Sequence, residues 1–180
     1  MPGTEDSVKS RRFLRHFLPD MVYGANDGLI TTFAIVAGVT GAGLSATVVL
    51  ILGFSSLLAD AFSMATSNYL AQRTPAGGES QTSRRHAARH ATVTFLGFVV
   101  PGLVPLLAYL LPVAGDYRFA LAAATTLFML FLVGVGRGLA ASLPALRAGL
   151  EMFLVGALAA GVAYGVGALG ALLADGGIAL

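Results

Sequence analysis

Two aspartates, Asp27 and Asp60, lie inside long apolar stretches of this sequence, and no lysine or arginine shares either stretch. On a helix, Asp20, Gly24, Asp27 and Thr31 recur at three- and four-residue steps and form one narrow polar stripe. Ser56, Asp60, Ser63, Met64 and Ser67 do the same within roughly 100° of arc. Two oxygen-bearing stripes of this kind predict a polar track between neighbouring helices. Asp60 and Met64 stand one turn apart, so a carboxylate and a thioether can meet at one ion. Carboxylates suit hard or borderline divalent cations, and a thioether shifts preference toward transition metals. Such a sparse ligand set holds an ion transiently, as transport requires. A carboxylate taken out of water favours its neutral form, so the same groups suit exchange of metal for protons. Against this, a lone methionine is as readily ordinary packing. Asp27 could also snorkel or cap a helix break at Gly24 or Gly28, and Ser63 and Ser67 could bond only to backbone carbonyls.

The elements that must carry these residues follow from composition. The 180 residues are 56% hydrophobic and 11% charged, with a net charge of +2. A soluble domain of this size carries roughly 25% charged residues, so too few are present to face water and lipid must cover the surface. Five apolar stretches, at about 21–43, 46–72, 91–112, 119–139 and 148–174, approach or exceed the ~20 residues that cross a bilayer. A helix satisfies its backbone polar groups internally, and the alternation of barrel strands is absent. The expected architecture is therefore all-α, one five-helix transmembrane domain over 20–174. A basic segment, 1–19, precedes it, and a short polar connection, 73–90, joins the second and third spans. Pro101 and Pro105 interrupt the third span.

Charge placement orients the chain. Lys9, Arg11, Arg12 and Arg15, then Arg73, Arg84, Arg85 and Arg89, then Arg137 and Arg147 all fall on one side of a five-span protein, and only Arg118 falls on the other. The positive-inside rule makes the N-terminus cytosolic and the C-terminus external. The N-terminal segment does not read as a cleaved secretory signal, and the first span would serve as the targeting signal. With no cysteine present, thiolate metal sites and disulfides are excluded. Nothing resembles a phosphate-binding glycine loop, a nucleophile with its base or a nucleic-acid surface, so neither an enzyme nor a cofactor is expected.

Tyr23-Gly24-Ala25-Asn26-Asp27-Gly28-Leu29-Ile30-Thr31-Thr32-Phe33 resembles the first-helix signature of the vacuolar iron transporter family. Asp60-Ala61-Phe62-Ser63-Met64-Ala65-Thr66-Ser67-Asn68-Tyr69 is similar to its second-helix motif, and Gly149-Leu150-Glu151-Met152-Phe153 to its last helix. The resemblance implies five spans, a homodimer and a path for ferrous iron near the dimer interface, with exchange against protons. It places the family's ion-path aspartate at Asp27 and its methionine at Met64. Many eukaryotic members carry a glutamate where Ser56 stands here, and Asp60, one turn on, is expected to take over its role. The cytosolic metal-binding domain that many members insert between the second and third spans is reduced here to 73–90, with Glu79 as its one carboxylate. Manganese is accordingly a second candidate ion.

The lesser signals concern other charged residues. His86 and His90 have the spacing of a metal-ligand pair, but they lie among Arg84, Arg85 and Arg89, and an anchor for anionic lipid headgroups is the expectation. Glu151 suits an ion pair with Arg147 or a place at the metal entrance. Asp20 suits the positive end of the first helix or a cation funnel. Gly24/Gly28 and Gly161/Gly165 have the spacing of close helix contacts, including a dimer's. The expected function is a carrier exporting divalent metal from the cytosol against protons, in a cell membrane of prokaryotic type or an organelle membrane. Asp27, Asp60 and Met64 would line the path, with Asp20, Thr31, Ser63, Ser67 and Glu151 as accessories. A passive divalent-cation channel and a scaffold without transport are the rivals.

Overall fold

The computed structural model describes residues 3–73 and 84–176, with the side chains of 3–16 and 112–114 excepted. Glu79 and most of the connection between the second and third spans lie outside the described residues. Every regular element described is helical: α1 (Gly3–Gly41), α2 (Ala46–Arg73), α3 (Arg84–Gly102), α4 (Val104–Leu110), α5 (Arg118–Ala140) and α6 (Ala145–Asp175). A 3-10 turn, Pro112–Tyr117, links α4 to α5. Four helical segments are individually long and apolar enough to cross a membrane, within α1, α2, α5 and α6. The α3–α4 pair, bent by 42°, makes a fifth when taken as one span.

That bend has a local cause. Pro105 cannot donate a backbone N–H, and its ring conflicts with the carbonyl four residues earlier, so the helix is interrupted before it. Leu103 N–H still reaches the Val99 carbonyl at 3.0 Å, and Leu106 and Leu107 N–H groups both turn back to the Leu103 carbonyl. The kink therefore leaves little backbone unsatisfied at membrane depth, which is the condition for an irregular segment there. Between α1 and α2, Gly43 adopts φ +69°, a left-handed conformation that costs glycine nothing. Its N–H bonds the Thr40 carbonyl while Leu44 N–H bonds that of Val39, closing the end of α1.

α1 is the hub. It packs against α2, α3, α4, α5 and α6, and half of its membrane segment is buried inside the protein. Phe33, Val36, Ala37 and Val39 join Val49, Leu57 and Ala61 of α2 and Phe98 of α3 in the main core. Leu29 forms a second cluster with Leu130 of α5 and Met152 of α6. The outer helices turn their leucines outward, as lipid-facing helices do: Leu154, Leu158 and Leu172 of α6 are exposed.

Glycines set how closely these helices approach. A Cβ on Gly28 would overlap the Phe98 carbonyl oxygen, and one on Gly24 would stand 3.0 Å from the Thr94 carbonyl oxygen. The Gly24/Gly28 pair thus seats α1 against α3 within one chain. Gly41 and Gly167 serve the α1–α6 seam in the same way, against the backbone of Tyr164 and Gly38. Among the described residues, Gly161 and Gly165 have nothing within 4 Å of a Cβ position and make no close contact, because their side of α6 faces outward.

Two expectations change here. α3 begins at Arg84, so the polar connection is already helical where Ala87 and His90 turn inward. α1 is continuous from Gly3 through Pro19, which removes both the helix-end role of Asp20 and a helix break for Asp27 to cap.

Candidate metal path

α1 places Asp27 on its partly open side, next to α2. Thr31, one turn on, aims its hydroxyl at Asp27 Oδ1 across 3.4 Å. On α2, Ser56 Oγ donates to Asp60 Oδ2 at 2.8 Å. Ser56 therefore supports the Asp60 carboxylate, one turn away. The two carboxylates lie within electrostatic reach of one another. Both are partly exposed, and among the described residues neither takes a lysine, arginine or histidine as ion-pair partner. Two like charges near each other in membrane-spanning segments, each steadied by one hydroxyl, gain from a cation between them.

The other expected path residues are placed differently. Met64 is partly buried and packs against the main core. Ser63 and Ser67 are exposed on the side of α2 that the rest of the chain leaves open. The buried row of α2 is narrow, Val49, Gly53, Leu57 and Ala61, one residue per turn. Among the described residues no three His, Asp or Glu side chains stand so as to hold one metal ion together. Among the described residues of one chain, these side chains form no closed cage.

Asp20 belongs to a separate cluster that joins three helices. His90 Nδ1 of α3 meets Asp20 Oδ2 at 2.5 Å, and Asn68 of α2 donates to Asp20 Oδ1 at 3.2 Å. The Asn68 amide also donates to Thr94 Oγ1 at 2.7 Å, and Thr94 Oγ1 donates to the His90 carbonyl at 2.9 Å. His90 is buried, with its ring 4.6 Å from that of Phe17, so it does not reach lipid headgroups as a surface anchor would. The spacing of α3 carries a signal for this placement. Counting back by fours from Phe98 gives Thr94 and then His90, all on the buried face.

Glu151 also stands apart from Asp27 and Asp60. Arg137 of α5 donates to it at 3.0 Å, and Arg147 lies 3.6 Å away one turn before it. Arg137, Glu151, Tyr23, Asn26 and Met152 line a cavity of about 970 Å³ between α1, α5 and α6. Both members of the Arg137–Glu151 pair are substantially exposed, and such pairs contribute at most about 1 kcal/mol. Glu151→Gln is therefore expected to change stability by less than about 1 kcal/mol in thermal unfolding in detergent. A larger loss would mean that the pair anchors α5 to α6.

The sequence is similar to those of known proteins over most of its length. The model of the VIT family matches residues 18–86 and 76–168, from the first membrane segment well into α6. The chain belongs to the VIT family. Its relatives include a vacuolar iron transporter of Toxoplasma gondii, 28% identical over 85% of this chain and 74% of that protein. Vacuolar iron transporter homolog 5 of Oryza sativa subsp. japonica is 29% identical over 84% of this chain and 79% of its own length. Vacuolar iron transporter 1 of Arabidopsis thaliana is 24% identical over 81% and 82%. The Toxoplasma gondii alignment runs over 223 residues and the rice one over 164, for nearly the same share of this chain. The former relative thus carries a substantial stretch that this member of the family lacks.

Proposed function

We propose that this protein exports divalent metal, Fe²⁺ first and Mn²⁺ second, from the cytosol in exchange for protons. One observation carries the reading: Asp27 and Asp60 lie within electrostatic reach on adjacent spans with no basic partner among the described residues. A charge at the bilayer centre costs at least about 2.5–3.5 kcal/mol on insertion scales, so a pair of them persists where a travelling cation or proton neutralises it. Its likeness to vacuolar iron transporters supports iron as the ion. Met64 would add a soft ligand and Thr31, Ser63 and Ser67 accessory oxygens. Exposure of Ser63, Ser67 and Phe62 on α2 supports a homodimer in which a second copy completes the track. In this reading the N-terminus is cytosolic and the protein sits in a cell membrane.

Reconstituted vesicles test it. Inward metal flux accompanied by opposing proton flux is expected, with Fe²⁺ and Mn²⁺ compared against Zn²⁺ and Co²⁺ under an imposed pH gradient. Asp60→Asn is expected to lower metal flux at least tenfold, about 1.4 kcal/mol. Metal flux without proton movement would make the protein a passive channel, and no flux from a folded preparation would make it a scaffold.

A further inference from the structure

The Asp20 cluster has a feature that helix packing does not require. His86 and His90 stand one turn apart on α3, with their Nε2 atoms 3.2 Å from each other. Two imidazole nitrogens bound to one metal at about 2.0–2.1 Å in tetrahedral geometry stand about 3.3 Å apart. On the far side of the His90 ring, Asp20 Oδ2 sits on Nδ1 at 2.5 Å. A carboxylate there holds the proton on Nδ1 and turns the Nε2 lone pair toward His86. This carboxylate–histidine arrangement is the one that metal-binding histidines use to fix tautomer and ring orientation. Asn68 takes the other oxygen of Asp20, so the carboxylate is itself held in place.

The geometry points to His86 and His90 as a two-imidazole site for a borderline divalent transition-metal ion, oriented by Asp20 at the start of α3. The nearby Arg84, Arg85 and Arg89 are all exposed, where solvent and salt screen them over about 8–10 Å. His90 is buried and His86 half-buried, so the ion would lie on the inward side of α3. With two ligands among the described residues, the site would be weak and exchangeable. Asp20 lies seven residues before Asp27 on α1, about 10 Å along the helix axis. Use of the pair as a loading station for the path rests on the transport reading above, but the binding itself does not.

The test separates the two. Tag-free, full-length protein carrying Asp27→Asn and Asp60→Asn is titrated in detergent with Co²⁺, whose visible spectrum reports ligand type and geometry. Saturable binding with nitrogen ligation is expected. His86→Ala and His90→Gln should each weaken it at least tenfold, and Asp20→Asn by about 10–100-fold, the usual cost of losing such a partner. Circular dichroism and gel filtration check that each variant is folded, and the half-buried His86 is the safest of the three to change. No Co²⁺ binding in the parent, or equal affinity in a folded His86→Ala protein, overturns the site and leaves the pair a hydrogen bond. Retained Co²⁺ binding together with no metal flux from the unsubstituted protein in vesicles would sink the transport reading alone.

Discussion

Asp27→Asn is expected to reduce metal flux in vesicles by at least tenfold while the protein remains folded. The substitution removes one negative charge and almost no volume. The amide oxygen of the new side chain can still accept the hydrogen bond that Thr31 offers at 3.4 Å. What disappears is attraction for a cation. Two unit charges about 4 Å apart interact by about 4 kcal/mol at an effective dielectric constant of about 20, and tenfold in rate needs only about 1.4 kcal/mol of that. Asp27 is also positioned to matter more than Asp60, because it stands on the helix that every other span packs around. The neutral variant leaves Asp60 without the like charge beside it, so stability should hold or rise. Wild-type flux from Asp27→Asn vesicles would take this carboxylate out of the mechanism.

The second large effect is on the fold. Gly28→Leu is expected to cost about 3 kcal/mol or more, the upper range for forcing a side chain into a packed seam. Phe98 offers its main-chain carbonyl at this point and not a flexible side chain, so α1 and α3 must separate to admit a Cβ. The same separation would pull Asp20 from His90, since both lie a few turns along the same pair of helices. Thermal unfolding in detergent should show a large drop for Gly28→Leu. Gly161→Leu, with nothing within 4 Å of its Cβ position, is the control and should be nearly neutral within the chain. Equal stability of the two variants would mean that α1 and α3 do not meet as closely as described.

Individual residues show why some of this could be read from sequence. Asp27 and Asp60 stand out because a carboxylate among leucines and valines is rare, and their helical neighbours Thr31 and Ser56 follow from spacing alone. The five apolar stretches were legible for the same reason, since lipid selects continuous apolar runs. The Asp20–His90 contact was not, because it joins positions 70 residues apart and local periodicity is silent about partners. Gly28 was visible as half of a small-residue pair, yet which helix it admits depends on tertiary packing. The start of α3 was hidden by its arginines, which look like a loop until the buried Ala87 and His90 are placed. Arg137 falls at the end of the fourth apolar stretch, but its bond to Glu151 joins two helices, and spacing along one helix points only to Arg147.

The length of α2 acts as a depth gauge. At about 1.5 Å per residue, Asp60 stands about 21 Å along the axis from Ala46, and Asn68 about 33 Å. A hydrocarbon slab of about 30 Å that begins near Ala46 would end between them. Asp60 would then sit in the oily layer, while Asn68, together with the Asp20 and His90 side chains around it, would lie at its boundary. Water could reach one cluster without crossing any lipid, and an ion leaving it for the other would have to shed most of its hydration within a few turns of helix.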